Sequence, residues 1–586
     1  MSWRTIAAWA ACAILSCAAA IAEPAAAVTT QPGGATTELA STVTVSEALR
    51  ERVDQLRYAT EGRAPEVAGQ RIVLAEAVAR HYEASGFAPV WTEPARVDAL
   101  VAAIADLEYD GLRPTDYHVD ALQQFRGELR GGRLAPPRQA ELELVATDAM
   151  ATALYHLYFG KVDPARLSPQ WNFPPRPLDV PEARQRFDVA LADGDVAGTF
   201  ERARPQHPWY QRGRERLRQY EAISEYGGWL PVPAGPVLKP GDSDSRTLTL
   251  RLRLAATGDL PTSRRDARGR PLVQSPPPPA DQVYDEALVA AVQRFQARHG
   301  LGADGVVGPG TLAALNVPVE DRIDQIRVNL ERARWVMHEI RGDFVLVDVA
   351  GFDVSWFRDD EPVWTSKVIV GRPYRETPIF RSTITYVVFN PTWTIPPGIL
   401  VKDKLPVVQR DPGYLKRNNI RVIDSRGREV DPYSVNWKAY GPGRLPPYQL
   451  RQDPGDDNAL GLVKIMFPNP YAVYLHDTPS KSLFDQDQRT FSSGCIRVQK
   501  AFELAEIVLA DPERWNPKSI ADVIAAKATR TVNLAKPIPV LILYWTAQPT
   551  PDGQVLFRND VYGRDPPTLA ALDAPVEAIA TAPRGR

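Results

Sequence analysis

The sequence predicts a multidomain α+β protein: a helical N-terminal scaffold, a small helical module, and a mostly β domain interrupted by a long insertion. Three observations carry this. Apolar residues recur at three- and four-residue spacing through about the first 230 residues. Near residue 341 the period changes to short β-branched and aromatic runs broken by Gly and charged pairs. The 54 Pro cluster as punctuation, in "SPPPPAD" and "RLPPYQL", and mark loops and linkers. A length of 586 residues suits about four domains at ~150 residues each, and 44% hydrophobic content can fill several cores. A net charge of −2 with dispersed Lys and Arg excludes an electrostatic case for nucleic acid or an anionic membrane.

Residues 1–22 read as a secretory signal peptide: Arg4, an uncharged stretch from Thr5 to Ala22, and small residues at Ala20-Ile21-Ala22. A retained membrane anchor and lipid attachment at Cys17 are the alternatives. Residues 23–44 are rich in Ala, Thr, Gly and Ser and read as a disordered leader. If Ala22 is the last residue removed, Cys12 and Cys17 leave with the peptide, and Cys495 is the one Cys of the mature chain.

Residues 45–230 form the helical scaffold. "VSEALRERVDQLRY", "DALVAAIADLEYDGL" and "ELELVATDAMATALYHLYFG" each carry a helical apolar spacing. In the last, Leu142, Val145, Ala149, Ala153 and Leu157 line one face. His156 in that segment reads as packing, because no nucleophile stands near it in sequence. The small module spans 235–317. Leu288, Val292 and Phe295 make a stripe, the Gly-rich turn after His299 stops that helix, and Thr311 is a candidate cap for the next. Leu248, Leu250, Leu252 and Leu254 alternate with polar residues, which locally reads as a strand.

The β domain spans 341–565. "DFVLVDVAGFDVSWFRDDEPVWTSKVIVG", "STITYVVFNPTWTIP" and "PYAVYLHDT" are strand-like, the last ending near His476, and "AFELAEIVLA" is helical. Residues of about 399–460 form a long insertion between strand-like runs, and such insertions often act as lids. Residues 566–586 read as a disordered tail.

The chemistry centres on "RTFSSGCIRVQ". A lone Cys cannot form an intrachain disulfide, nor a closed four-ligand zinc site with scattered His. It is a buried inert thiol or a reactive one. Gly494 permits a tight bend, and Ser492 and Ser493 leave the sulfur uncrowded. His476 lies 19 residues upstream and can serve as base. Backbone N–H groups at Gly494 and Cys495 could hold an oxyanion. These residues read as a Cys–His acyl-transfer site, with a structural Cys as the alternative.

Two resemblances sharpen this reading. "AVQRFQARHGLGADGVVGPGTLAAL", with "LRLRLAATGDL" upstream, resembles a peptidoglycan-binding module. The resemblance implies helix where the Leu alternation suggests strand. It also implies that the Pro- and Arg-rich stretch of about 261–279 is an insertion. "HDTPSKSLFDQDQRTFSSGCIRV" resembles the active-site signature of the L,D-transpeptidase family, with its YkuD-type catalytic domain. "VIVGRPYRETPIF", "VVFNPTWTIPPGILVKDKLP" and the order of parts resemble the large periplasmic, YcbB-like subgroup. The resemblance implies that Cys495 is the nucleophile and His476 its base. Ser493 and Gly494 frame the oxyanion hole with Cys495. Arg497, Tyr474 and Trp393 line the donor site, and residues 399–460 cap it. Many relatives have a second His where this chain has Ser493, so His476 is the one local candidate base.

Asp477 directly follows His476, and adjacent strand residues point to opposite faces. A backbone carbonyl is therefore expected to orient the imidazole. Asp485 and Asp487 are expected to be solvated. The implied function is a periplasmic cysteine L,D-transpeptidase that needs no cofactor or metal. Its partners are the tetrapeptide donor and acceptor stem of peptidoglycan, joined by 3→3 cross-links, and carbapenems are expected to acylate it. The alternatives are an L,D-carboxypeptidase and a non-catalytic wall-binding scaffold.

Overall fold

The computed structural model describes residues 43–57, 65–167, 171, 173, 176, 180–261 and 282–577. The signal peptide, nearly all of the leader, the insertion after Pro261 and the end of the tail lie outside the described residues. Helix α1 (Pro136–Phe159) lies at the centre of the N-terminal helices. Its five stripe residues are buried, as the spacing predicts. The opposite side is buried as well, because its acids satisfy backbone donors. Glu143 accepts from the N–H groups of Val90 (2.7 Å) and Trp91 (2.8 Å). Asp148 accepts from those of Val73 (3.0 Å) and Leu74 (2.7 Å). His156 meets the Tyr117 hydroxyl at 3.0 Å, and burial pulls its imidazole down to about 3. It is a neutral packing residue.

Helices α2 (Pro208–Glu225) and α3 (Val319–Val336) flank the small module. In that module Arg246–Ala256 is a helix, and the strand-like alternation is overridden by packing. Leu250 and Leu254, one turn apart, are buried, while Arg253 stacks 3.8 Å from the Trp229 ring centroid. Leu288, Val292 and Phe295 are buried within helix Glu286–Arg298. Thr311 does not cap the next helix. Gly308 holds the cap position and Pro309 starts the helix. Thr311 lies inside it, accepting from Gln296 Nε2 at 3.1 Å.

Nine strands build the main sheet: β1 (Phe344–Asp348), β2 (Asp353–Arg358), β3 (Glu361–Gly371), β4 (Phe380–Phe389), β5 (Val463–Met466), β6 (Leu475–His476), β7 (Thr490–Ser492), β8 (Ile496–Val498) and β9 (Arg530–Leu543). Their order is β7-β3-β8-β6-β5-β4-β9-β1-β2. The long β3 also pairs with β2 through its first half, so the sheet closes on itself. The interior is aliphatic, with Val347, Val354, Val368, Ile384, Val463 and Ile465 all buried, and helix α4 (Ala501–Leu509) adds Leu504 and Val508. "PYAVYLHDT" yields only a two-residue strand. Before it, Asn469 ties a turn by accepting from the N–H groups of Tyr471 (3.1 Å) and Val473 (3.0 Å).

The insertion has its own core. Trp393–Thr394, Gln449–Gln452, Ile420–Ile423 and Glu429–Val430 form a four-stranded sheet. Leu405, Val408, Leu415, Val422 and Leu450 pack with Trp393 and reach Tyr474, with Cys495 at the margin. A second apolar core joins α2 and α3 to the outer face of the main sheet through Leu217, Leu330, Phe344, Leu346 and Leu543. The expected disordered tail is corrected in part. Helix α5 (Asp565–Asp573) follows the β domain, Leu572 is buried among the N-terminal helices, and Asp573 pairs with Arg327 at 2.7 Å.

Candidate active site

The site is assembled by register. β6 and β8 pair in parallel, with Leu475 opposite Ile496 and His476 opposite Arg497. Leu475 and Ile496 point into the sheet interior, and both are fully buried. Alternation sends Tyr474, His476, Cys495 and Arg497 to the other face, under the insertion. Four of the predicted site residues are thus brought together by one two-strand ladder.

His476 is buried and its Nδ1 lies 2.5 Å from the Asp477 carbonyl oxygen. A carbonyl only accepts, so Nδ1 carries the hydrogen and Nε2 is the basic nitrogen. The Asp477 carboxylate turns away, bonded to the Leu462 N–H at 3.0 Å and to Lys481. Burial, with Arg497 and Lys464 nearby, pulls the imidazole down to about 3. Its ring lies 5.6 Å from that of Tyr474.

Cys495 is half-buried. Burial pushes its thiol up, while hydrogen bonding to Tyr474 and the charges of Lys464 and Arg497 pull the other way. The thiol meets the Ala472 carbonyl at 3.6 Å. Among the described residues no hydrogen bond joins it to His476. Such contacts often tighten only when substrate binds. Tyr474 is itself hydrogen-bonded by Trp393, and burial raises its hydroxyl strongly. Trp393, Tyr474 and Cys495 pack together at the edge of the insertion's core.

The turn from Ser492 to Cys495 is held from several sides. Gly494 has φ +114°, a conformation that side-chain-bearing residues rarely adopt. Its N–H is taken by Ser492 Oγ at 3.1 Å, and its carbonyl accepts from Thr377 Oγ1 at 2.9 Å. Ser492 Oγ donates to the Cys495 carbonyl at 2.5 Å. Gly494 therefore supplies the bend while its own N–H is engaged. Among the described residues the N–H groups of Ser493 and Cys495 make no hydrogen bond. Ser493 is exposed, and its Oγ accepts from Arg375 Nη1 at 2.8 Å. Arg375 also grips Asp403 of the insertion, at 2.5 and 2.8 Å.

A cavity of about 210 Å³ opens between the insertion and the β domain, lined by Trp393, Lys404, Tyr414, Gln452, Thr478 and Arg497 among others. Arg497 Nε is buried without a hydrogen-bond partner. Sequence reasoning missed Thr377, Arg375, Asp403 and Lys464. They lie far from the "SSGC" motif in sequence, and only register and the closed sheet bring them to it. Among the described residues no cluster of three or more His, Cys, Asp or Glu could hold a metal ion.

Residues 342–533 match the "L,D-transpeptidase catalytic domain". Residues 76–217 match a "Scaffold domain" and 269–315 a "Putative peptidoglycan binding domain". A curated Haemophilus influenzae protein described as "Putative L,D-transpeptidase" is 35% identical over 247 residues, which is 42% of this chain. The chain spans about half the length of that relative, 49%. A crystal structure of an L,D-transpeptidase from Xylanimonas cellulosilytica matches 53% of this chain and 99% of its own, at 16% identity and a TM-score of 0.16. The chain thus carries an L,D-transpeptidase catalytic domain with scaffold and peptidoglycan-binding domains.

Proposed function

We propose that this protein is a periplasmic cysteine L,D-transpeptidase that joins peptidoglycan stem peptides by 3→3 cross-links. The observation that supports it most is the shared face of β6 and β8. It gathers Tyr474, His476, Cys495 and Arg497 on one side, with Arg497 also lining the cavity under the insertion, inside the region matched to the catalytic domain.

The chemistry follows from the residues. His476 Nε2 takes the Cys495 proton, and the thiolate attacks the carbonyl of the third residue of a tetrapeptide stem. The N–H groups of Cys495 and Ser493, which make no hydrogen bond among the described residues, receive the oxyanion, with Gly494 as the bend between them. The carbon–nitrogen bond to the terminal D-Ala breaks, and the imidazolium protonates the leaving amine. A side-chain amine of a second stem then attacks the thioester and frees the thiol. Arg497 and Trp393 line the donor cavity, and Tyr474 hydrogen-bonds the sulfur. Export by the N-terminal signal peptide belongs to the same reading, as does acylation by carbapenems.

Intact-mass analysis after incubation with a carbapenem tests the nucleophile. One adduct is expected on the wild type, none on Cys495→Ala, and slow formation on His476→Ala. No adduct on a folded wild type would overturn the reading and leave a wall-binding scaffold. Products from purified tetrapeptide then separate transfer from hydrolysis, because an L,D-carboxypeptidase gives no dimer.

A further inference from the structure

Lys464 has no role in the reading so far. β5 pairs antiparallel with β6, and Lys464 stands directly opposite His476. Directly opposed residues share a face of the sheet. Lys464 therefore belongs to the face that carries Tyr474, His476, Cys495 and Arg497. Its ammonium lies 3.8 Å from the centroid of the Tyr474 ring. On its other flank β4 places the uncharged Val388 opposite it.

The ammonium is half-buried, and among the described residues it makes no ion pair; the charge that bears on it is that of Cys495. A partly desolvated cation without a counter-charge is unfavourable. Its position makes sense if a negative charge forms beside it during use. Arg497, across the site, is in the same condition: half-buried, with no ion pair, and acted on by Cys495. Of the other charged groups near this face, Lys404 donates to the Tyr414 hydroxyl at 2.7 Å and Asp457 lines the cavity with Arg497. His476 is neutral, Arg372 adds positive charge near Arg497, and Arg375 is engaged by Asp403. A cation on the face of a phenol draws electron density from the ring, and a phenol so polarised is a stronger hydrogen-bond donor. The Tyr474 side chain packs in the same cluster as Cys495 and bears on its thiol.

We propose that Lys464, opposite His476 and stacked on Tyr474, is a positioning residue that stabilises the Cys495 thiolate as it forms, with Arg497 on the far side. This rests on the reading of Cys495 as nucleophile. The proton still passes from Sγ to His476 Nε2, and the ammonium keeps its own protons throughout.

The test is the rate of Cys495 alkylation by iodoacetamide in the full chain, followed by peptide mass over about pH 6 to 10. A unit charge within about 4–6 Å moves a pKa by about one to three units, and a more distant one by less. Lys464→Met is expected to raise the midpoint by about one unit, slowing alkylation roughly tenfold at neutral pH with the high-pH plateau unchanged. Lys464→Arg should keep the wild-type profile. In a Tyr474→Phe background the Lys464→Met shift should shrink, because part of it passes through the hydroxyl. A Lys464→Met profile that superimposes on wild type overturns the proposal. If Lys464→Met does not fold, Lys464→Gln carries the same two outcomes. Alkylation does not depend on peptidoglycan. A wild type that fails to turn over stem peptides yet shows the shift would overturn the transpeptidase reading and leave this inference standing.

Discussion

Replacing Gly494 by Ala isolates the role of the turn that carries Cys495. An added Cβ would stand 3.5 Å from the Glu376 carbonyl oxygen and 3.9 Å from that of Arg375, which is ordinary contact. Space is therefore not the obstacle; the obstacle is φ at +114°. Holding a non-Gly residue there costs about 1–3 kcal/mol. Relaxing φ would break at least one of the bonds to Ser492 Oγ or Thr377 Oγ1, at roughly 1 kcal/mol each. The substitution is thus expected to cost about 1–3 kcal/mol, as lost stability where φ is held or as a displaced sulfur where it relaxes. A displacement near 1 Å in a catalytic group can cost about a hundredfold in rate. The assay is carbapenem acylation by intact mass, beside a thermal melt. The expected result is an acylation rate at least about thirtyfold lower, a lower Tm, or both. A variant that acylates within about threefold of wild type with an unchanged Tm would refute the account, because strain of this size must appear in one of the two readouts.

Other outcomes follow from the same structure. Cutting the Arg375–Asp403 pair with Arg375→Met should speed hydrogen exchange in residues 399–410, and by less at high salt, since the Asp403 side chain is 38% exposed. Unchanged exchange would show that the pair does not hold the insertion. Burial keeps His156, His338 and His476 down to about 3 and His207 to about 4. Below about pH 6.5 the unfolded chain binds protons that the folded chain does not, so stability falls on acidification by up to ~1.4 kcal/mol per pH unit for each. Melts between pH 7 and 5 should show this slope, and His156→Gln should reduce it. Burial and the facing Asp353 push the Asp348 carboxyl up, so its contribution is present at low pH and lost as pH rises. Asp348→Asn should therefore raise Tm more at pH 8 than at pH 5, and an equal change at both would refute the pairing.

Much of this was legible in the sequence, for definable reasons. The apolar spacing of Leu288, Val292 and Phe295 reports a helix because one face must be buried, and it is. The setting of Cys495 between Gly494 and Ile496 reports a bend running into a strand. The rest was hidden by non-local packing. The Leu248–Leu254 alternation fits a strand, but only Leu250 and Leu254 meet a core. Thr311 looks like a cap, yet Gly308 provides the extended backbone that the helix start needs. Leu572 reads as part of a tail because its core lies in the N-terminal helices, from Ala48 to Phe200, far away in sequence. Lys464 carries no local signal at all. Its relation to the thiol exists only once β5, β6 and β8 are in register.

The closed sheet and helix α3 bear on how a fragment of this protein would behave. The segment matched to the catalytic domain, 342–533, begins just after α3 and ends inside β9. Expressed alone, it would lack Val540–Leu543, the residues of β9 that pair with β1. It would also present Phe344 and Leu346 to solvent where Leu330 and Leu217 now cover them. An exposed strand edge beside bare apolar surface favours self-association. The stretch that defines the chemistry by sequence similarity is thus shorter than the stretch that can dissolve as a folded body. A soluble catalytic fragment would have to include α2, α3 and the chain through α5.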